Sequence, residues 1–312
     1  MAPTSASEFS AKGSASPESP EKDPADAKNS LKSDLSALTK PRITLMVVLT
    51  TLVGYLVAAP AFDAVVLLHT LIGTALLSTA SAIFNQILER RTDAAMRRTA
   101  NRPLAAGRMQ PSMALALGLV VGGAGVAQLW WLVNPLTSLV GLATLVLYVW
   151  VYTPLKRRSS LSTLVGAVPG AMPPMMGCTA ATGELSALAW ALFGILFLWQ
   201  MPHFLAIAWM YRADYERGGF PLLTSGDYGQ RTARQMVLYA GALLPVSVVP
   251  AVLGFSGVAY FVGALIFGLG FLWYSFEFGR ARSAQAAKKV LLASVLYLPA
   301  VLLLMVVDRT AL

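Results

Sequence analysis

Residues 64–98 read AVVLLHTLIGTALLSTASAIFNQILERRTDAAMRR, and this stretch decides the fold. From Ala64 to Phe84 it holds no Asp, Glu, Lys or Arg, and it is long enough to cross a bilayer core of roughly 30 Å. The helix runs on past the apolar run into Asn85, Glu89 and Asp93. A spacing of four drifts only about 40° around a helix, so these three side chains line one face. Two carboxylates and an amide at a membrane surface form an oxygen-ligand site. Such ligands suit Mg²⁺, which keeps several waters and bridges to phosphates. Arg98, Arg102 and Arg108 follow in the same loop, and acids beside bases point to a metal–diphosphate complex. A solvated helix end with surface ion pairs fits the same residue types.

Reading outward, the same alternation of apolar run and charged loop recurs along the chain. Of the 312 residues 56% are hydrophobic and 12% charged, where a soluble domain carries about 25% charged. Spans are expected at 43–60, 64–84, 112–133, 136–153, 161–178, 187–210, 236–253, 257–277 and 290–307. Helix is the form for each, because lipid offers no partner for a free backbone group. The fold class is therefore an all-α integral membrane protein of nine transmembrane helices. Pro169, Pro173 and Pro174 interrupt the fifth span and Pro202 the sixth, so kinks are expected there. Residues 1–30 are rich in Ala, Ser, Pro and charge and are expected to form a disordered tail, with 31–312 as one membrane domain. That tail lacks the apolar core of a secretory signal, and its acids argue against a mitochondrial transit peptide, so a bacterial inner membrane is the expected location.

The net charge of +9 is a matter of topology, not of nucleic acid. Every Lys and Arg except Arg309 falls in the N-terminal tail or in the loops after spans two, four, six and eight. The positive-inside rule then places the N-terminus in the cytoplasm and the C-terminus in the periplasm.

Three further constellations share the basic face or lie near it. Tyr211-Arg-Ala-Asp214-Tyr215-Glu216 follows span six and supplies a second carboxylate cluster, as an internal pseudo-repeat would; Glu216 reads as an ordinary loop residue. Tyr152-Thr-Pro-Leu-Lys156-Arg157-Arg158 follows span four; these cations can hold a diphosphate and can equally anchor the helix end. His203 lies about two turns below the end of span six, where an imidazole needs a cavity or a partner. It reads as a heme-iron ligand, a proton-transfer group or a satisfied core histidine. His69, near the other face, is assigned no role. The single cysteine, Cys178, excludes an internal disulfide.

The segment Asn85-x-x-x-Glu89-x-x-x-Asp93, with Arg98-Thr99 and Arg102-Pro103-Leu104 behind it, resembles the first signature of the UbiA prenyltransferase superfamily. It departs once, with Glu89 where the signature has Asp. Three more stretches resemble the branch of that superfamily that prenylates heme. They are Tyr152-Thr-Pro-Leu-Lys-Arg-Arg158, Thr163-Leu-Val-Gly-Ala-Val-Pro-Gly170, and Trp199-Gln-Met-Pro-His203 continuing to Tyr211-Arg-Ala-Asp214-Tyr215. In the second acidic motif Asp214 matches and Gly218 stands where the superfamily has a second Asp, as is usual for that branch.

The resemblance implies nine helices around a central cavity open to the cytoplasmic side. It also implies transfer of a farnesyl group from farnesyl diphosphate to heme b, with water, giving heme O. Mg²⁺ would be held by Glu89, Asp93 and Asp214. Arg98, Arg102, Lys156 and Arg157 would stabilise the leaving diphosphate, Asn85 would orient a ligand or a phosphate oxygen, and Tyr152 and Tyr215 would face the allylic cation. His203 would hold heme iron. Implied partners are membrane lipid and a heme A synthase or oxidase assembly factor. Two rivals remain: a UbiA-type enzyme with an aromatic or quinone-precursor acceptor, and a transporter, which the nearly charge-free mid-membrane segments disfavour.

Overall fold

The computed structural model describes residues 24–96, 98–156, 158–213 and 228–310. Among these the chain is helical throughout and forms no strand; one isolated bridge joins Ser256 to Arg309. The helices are α1 (Pro24–Thr39), α2 (Pro41–Ala58), α3 (Ala64–Ala95), α4 (Pro111–Leu132) and α5 (Pro135–Val146). After α5 come a π turn (Leu147–Tyr152) and one α turn (Thr153–Leu155). Then follow α6 (Ser162–Ala171), α7 (Pro173–Thr182), α8 (Ala187–Met210), α9 (Gln230–Val252), α10 (Val258–Ala281) and α11 (Ala284–Val307).

Eight of the nine expected spans are single helical segments long and apolar enough to cross a membrane. The fifth is instead two ten-residue helices, α6 and α7, separated at Met172. The cause is the one legible in the sequence: Pro173 and Pro174 lack the N–H groups that would bond back into α6, and proline is well placed to open a new helix. Pro202 lies inside a continuous α8. At the N-terminus, α1 begins at Pro24, inside the stretch expected to be without structure.

Helix ends are set by local polar chemistry. Asp63, Asn134, Ser186 and Ser283 each accept a hydrogen bond from the first turn of α3, α5, α8 and α11, meeting N–H groups that have no partner within the helix. Outward-facing positions are large and apolar, among them Leu119, Val120, Ile266 and Leu303. Inward positions hold small hydroxyls: Thr51, Thr70, Thr137, Thr179, Ser247 and Ser294 are all buried. That inversion is the signature of helices packed in lipid, where small residues let backbones approach and hydroxyls bond within or between helices.

The closest such approach joins α2 to α7. A Cβ on Gly54 would sit 2.1 Å from the Pro174 carbonyl oxygen, and one on Gly177 would sit 2.0 Å from that of Thr51. Thr51 Oγ1 donates to the Pro173 carbonyl at 3.1 Å across the same crossing. The broken span is therefore pinned to α2 by backbone contact. At the opposite face from the basic loops, Arg309 donates to the carbonyls of Leu56 and Ala59, tying the last residues to the end of α2.

This crossing yields a prediction. Gly54→Ala should lower stability in detergent by about 3 kcal/mol, the upper end for overpacking, because the obstacle is backbone. Gly123→Ala, at a glycine with no neighbour within 4 Å, is the control and should not destabilise. Equal thermal-unfolding midpoints for Gly54→Ala and the parent would disprove the contact.

Candidate active site

The site is built on the length of α3. Its 32 residues extend about 48 Å, well beyond the apolar core of a bilayer. Its last turns therefore emerge among the basic loops, carrying Asn85, Glu89 and Asp93. As the spacing predicts, the three share a face, and all are buried, at 2%, 3% and 1% exposure.

Burying carboxylates is costly unless each is paired. Here Arg102 Nη1 lies 2.6 Å from Asp93 Oδ2, and Lys156 Nζ lies 3.1 Å from Glu89 Oε1. Asn85 Nδ2 donates to Thr153 Oγ1 at 3.2 Å. Two distant segments thus meet α3: the loop after it and the end of α5. The π turn accounts for the second meeting. Pro154 cannot donate to the helix ladder, and the Thr153 N–H and hydroxyl both turn to the Tyr148 carbonyl. This widened turn brings Thr153 to Asn85 and Lys156 to Glu89.

A third cation, Lys40, joins them from the α1–α2 junction. Its Nζ donates to Asn85 Oδ1 at 3.2 Å. Burial pushes its ammonium down to about 8, Arg102 and Lys156 act in the same direction, and Glu89 and Asp93 oppose them. Sequence reasoning assigned Lys40 only to the basic tail. The junction is held by Gln86, whose Nε2 donates to the carbonyls of Ala37 and Leu38. It is held also by Arg108, whose guanidinium grips Asp34 and keeps that carboxyl below its ordinary value.

Asp93 Oδ1 is buried and makes no hydrogen bond among the described residues. An orphaned carboxylate oxygen beside a second carboxylate and an amide oxygen is a donor set that fits a hard cation such as Mg²⁺. Among the described residues no third acid, histidine or cysteine completes the pair. The expected third ligand, Asp214, lies outside the described residues, as do Arg157 and Tyr215.

The other expected residues are placed as follows. Arg98 is exposed in the turn after α3. The Tyr152 ring packs against Gly166 of α6 and lies 5.3 Å from that of Tyr148. His203 is half-buried in α8; its Nδ1 lies 2.8 Å from Ser294 Oγ and its ring stacks on Trp199 at 5.0 Å. Among the described residues nothing bonds its Nε2. His69, given no role, meets Gln128. A cavity of about 300 Å³ adjoins the α1–α2 junction, lined by Thr39, Pro41, Thr44, Leu45, Val48 and Thr79. A larger groove of about 490 Å³ on α3, α4 and α5 is lined by none of the charged cluster.

Helices long and apolar enough to cross a membrane thus bring two buried carboxylates and three cations together at one face, the arrangement of a membrane-embedded polar site. The chain belongs to the UbiA prenyltransferase family, whose model matches residues 47–298. A protein of Solibacter usitatus called Protoheme IX farnesyltransferase is 48% identical over 290 residues, covering 89% of this chain and 99% of the relative. Among solved structures, a digeranylgeranylglyceryl phosphate synthase aligns with a TM-score of 0.77 at 14% identity, covering 88% of this chain and 97% of that one. A UbiA homologue from Archaeoglobus fulgidus bound to GPP and Mg²⁺ aligns at 0.62 and 12% identity, covering 87% and 99%. At those identities the structures speak for the fold.

The Lys40 environment is testable. Because its folded value of about 8 lies below the ordinary lysine value of about 10.4, the folded protein binds fewer protons between them. Stability in metal-free detergent solution should therefore rise with pH across that window, and Lys40→Met should remove the rise. pH-dependent acylation read by mass spectrometry should give Lys40 a midpoint near 8. A midpoint near 10 would refute the burial.

Proposed function

We propose that the protein transfers the farnesyl group of farnesyl diphosphate to a vinyl group of heme b, with addition of water, giving heme O and diphosphate. The observation that carries this reading is the buried Glu89–Asp93 pair met by Arg102 and Lys156, with Lys40 beside it on Asn85. Such a cluster is built for a polyanion with a metal ion. The heme acceptor is supported by the relative named Protoheme IX farnesyltransferase, matched over almost its whole length.

Mg²⁺ held by Glu89 and Asp93, with Asp214 as a further donor, would supply the positive charge that neutralises the diphosphate; the Archaeoglobus fulgidus neighbour, bound to GPP and Mg²⁺, supports that choice. Arg102 and Lys156, with Arg98 and Arg157 in the same loops, stabilise charge on the leaving group. Asn85, fixed by Thr153, orients an oxygen at the head of the site. The C1–O bond of farnesyl diphosphate breaks and its electron pair leaves with diphosphate. The vinyl π electrons form the new C–C bond to the allylic carbon. Water adds to the resulting heme-side cation and loses a proton. Aromatic faces stabilise the allylic cation by up to about 2 kcal/mol where water is excluded, and Tyr152 and Tyr215 are the candidates. His203 offers Nε2 to heme iron, its Nδ1 being held by Ser294.

The basic loops support an inner-membrane topology with the N-terminus in the cytoplasm and the C-terminus in the periplasm. A heme A synthase or oxidase assembly factor is the class of partner that would take up the product.

The deciding experiment is a product assay. Purified protein with heme b, farnesyl diphosphate and Mg²⁺ should form heme O, and Asp93→Ala should lower turnover at least about a hundredfold. Farnesyl transfer to an aromatic acceptor in place of heme would discard the heme reading and keep the family. Separately, His203→Ala should alter the spectrum of bound heme and weaken its binding; an unchanged spectrum and affinity would remove His203 as an iron ligand.

A further inference from the structure

Lys40 is unusual in backbone and side chain together. Its φ of 48° and ψ of 59° put it in the left-handed region, where a Cβ crowds the neighbouring carbonyl and glycine is the ordinary occupant. A lysine is a poor choice for such a turn unless its side chain has a use. That side chain is directed into the bundle, donating to Asn85 Oδ1 at 3.2 Å, and among the described residues it has no carboxylate partner. Arg102 and Lys156 differ, since each is committed to a carboxylate. To reach a phosphate oxygen they must leave an acid, whereas Lys40 exchanges only a neutral amide oxygen and has two further N–H donors.

The junction that presents Lys40 is fastened from α3. Gln86, the residue after Asn85, donates at 2.9 and 2.8 Å to the carbonyls of Ala37 and Leu38, in the last turn of α1. Leu38 is fully buried against Ile83, Leu104 and Ala114. The same two α3 residues therefore hold the turn and receive its lysine.

We propose that Lys40 is a further cationic ligand of the substrate diphosphate and that Gln86 is its positioning residue, holding the end of α1 against α3. This rests on the diphosphate reading above. The site then draws one cation from each of three segments: the α1–α2 junction, the loop after α3 and the end of α5.

The test is calorimetric binding of inorganic diphosphate with Mg²⁺ to the full chain in detergent. Lys40→Gly suits the left-handed backbone, so it should melt no lower than the parent while binding diphosphate about tenfold more weakly, the loss expected for one charge-assisted hydrogen bond. Gln86→Leu should weaken binding roughly threefold with Lys40 present, as a positioning loss smaller than removal of the bond itself, and by nothing further in the Lys40→Gly background. A merely structural Gln86 would give the same loss in both backgrounds, and that outcome overturns its role. Parent-like binding by Lys40→Gly overturns the assignment of Lys40 alone. Absence of binding by the parent overturns the diphosphate reading and this assignment with it.

Discussion

Two carboxylates are buried at the end of a membrane helix, and the rest of the site follows from the cost of putting them there. Glu89 and Asp93 are almost wholly removed from solvent at the point where α3 leaves the apolar core. An isolated carboxylate in such a place would take up a proton or unfold the helix end. Each instead meets a cation from a segment remote in sequence or across a loop, so the charge balance also fixes how the loops fold over α3. The balance is incomplete in a useful way. Among the described residues Asp93 Oδ1 has no donor, and an oxygen so placed is one that a hard cation can take.

Two departures from regular helix stand at this site. One is the π turn over Leu147–Tyr152, the other the left-handed turn at Lys40. Each swings a lysine toward Asn85 or Glu89, at a place where a regular helix would have set a different register. Irregular backbone near a membrane is tolerated where protein satisfies its polar groups, and here Thr153 and Gln86 do so.

The parts legible in the sequence were those that depend on one helix at a time. Asn85, Glu89 and Asp93 are set by a spacing of four, which no tertiary contact can alter, and the break at Met172 is written in Pro173 and Pro174. Lys156 was readable as a cation but not as the partner of Glu89, because that pairing depends on a π turn. Lys40 was hidden for another reason: every basic loop of a membrane protein carries lysines for insertion alone, so one more gives no signal. A signal did exist for α1. Leu31, Leu35 and Leu38 recur at helical spacing within a polar stretch, and only Leu38 is buried in the bundle while the other two stay exposed. Asp214 and Tyr215, drawn from the motif, lie outside the described residues, so their part rests on the sequence pattern.

The broken fifth span joins the charged cluster to the histidine. Gly166 of α6 receives the Tyr152 ring, and the next residue, Ala167, offers its carbonyl to Gln200 Nε2 at 2.9 Å. Gln200 lies one turn before His203 on α8, and Gly170 leaves room for its amide. A continuous span would have held these residues in the register of one straight helix. Two half-helices let α6 follow α5 and α8 while α7 stays locked to α2 through Gly54 and Gly177. The glycines and prolines of this span are therefore what allow one element to touch both the charged end of the bundle and the helix that carries His203.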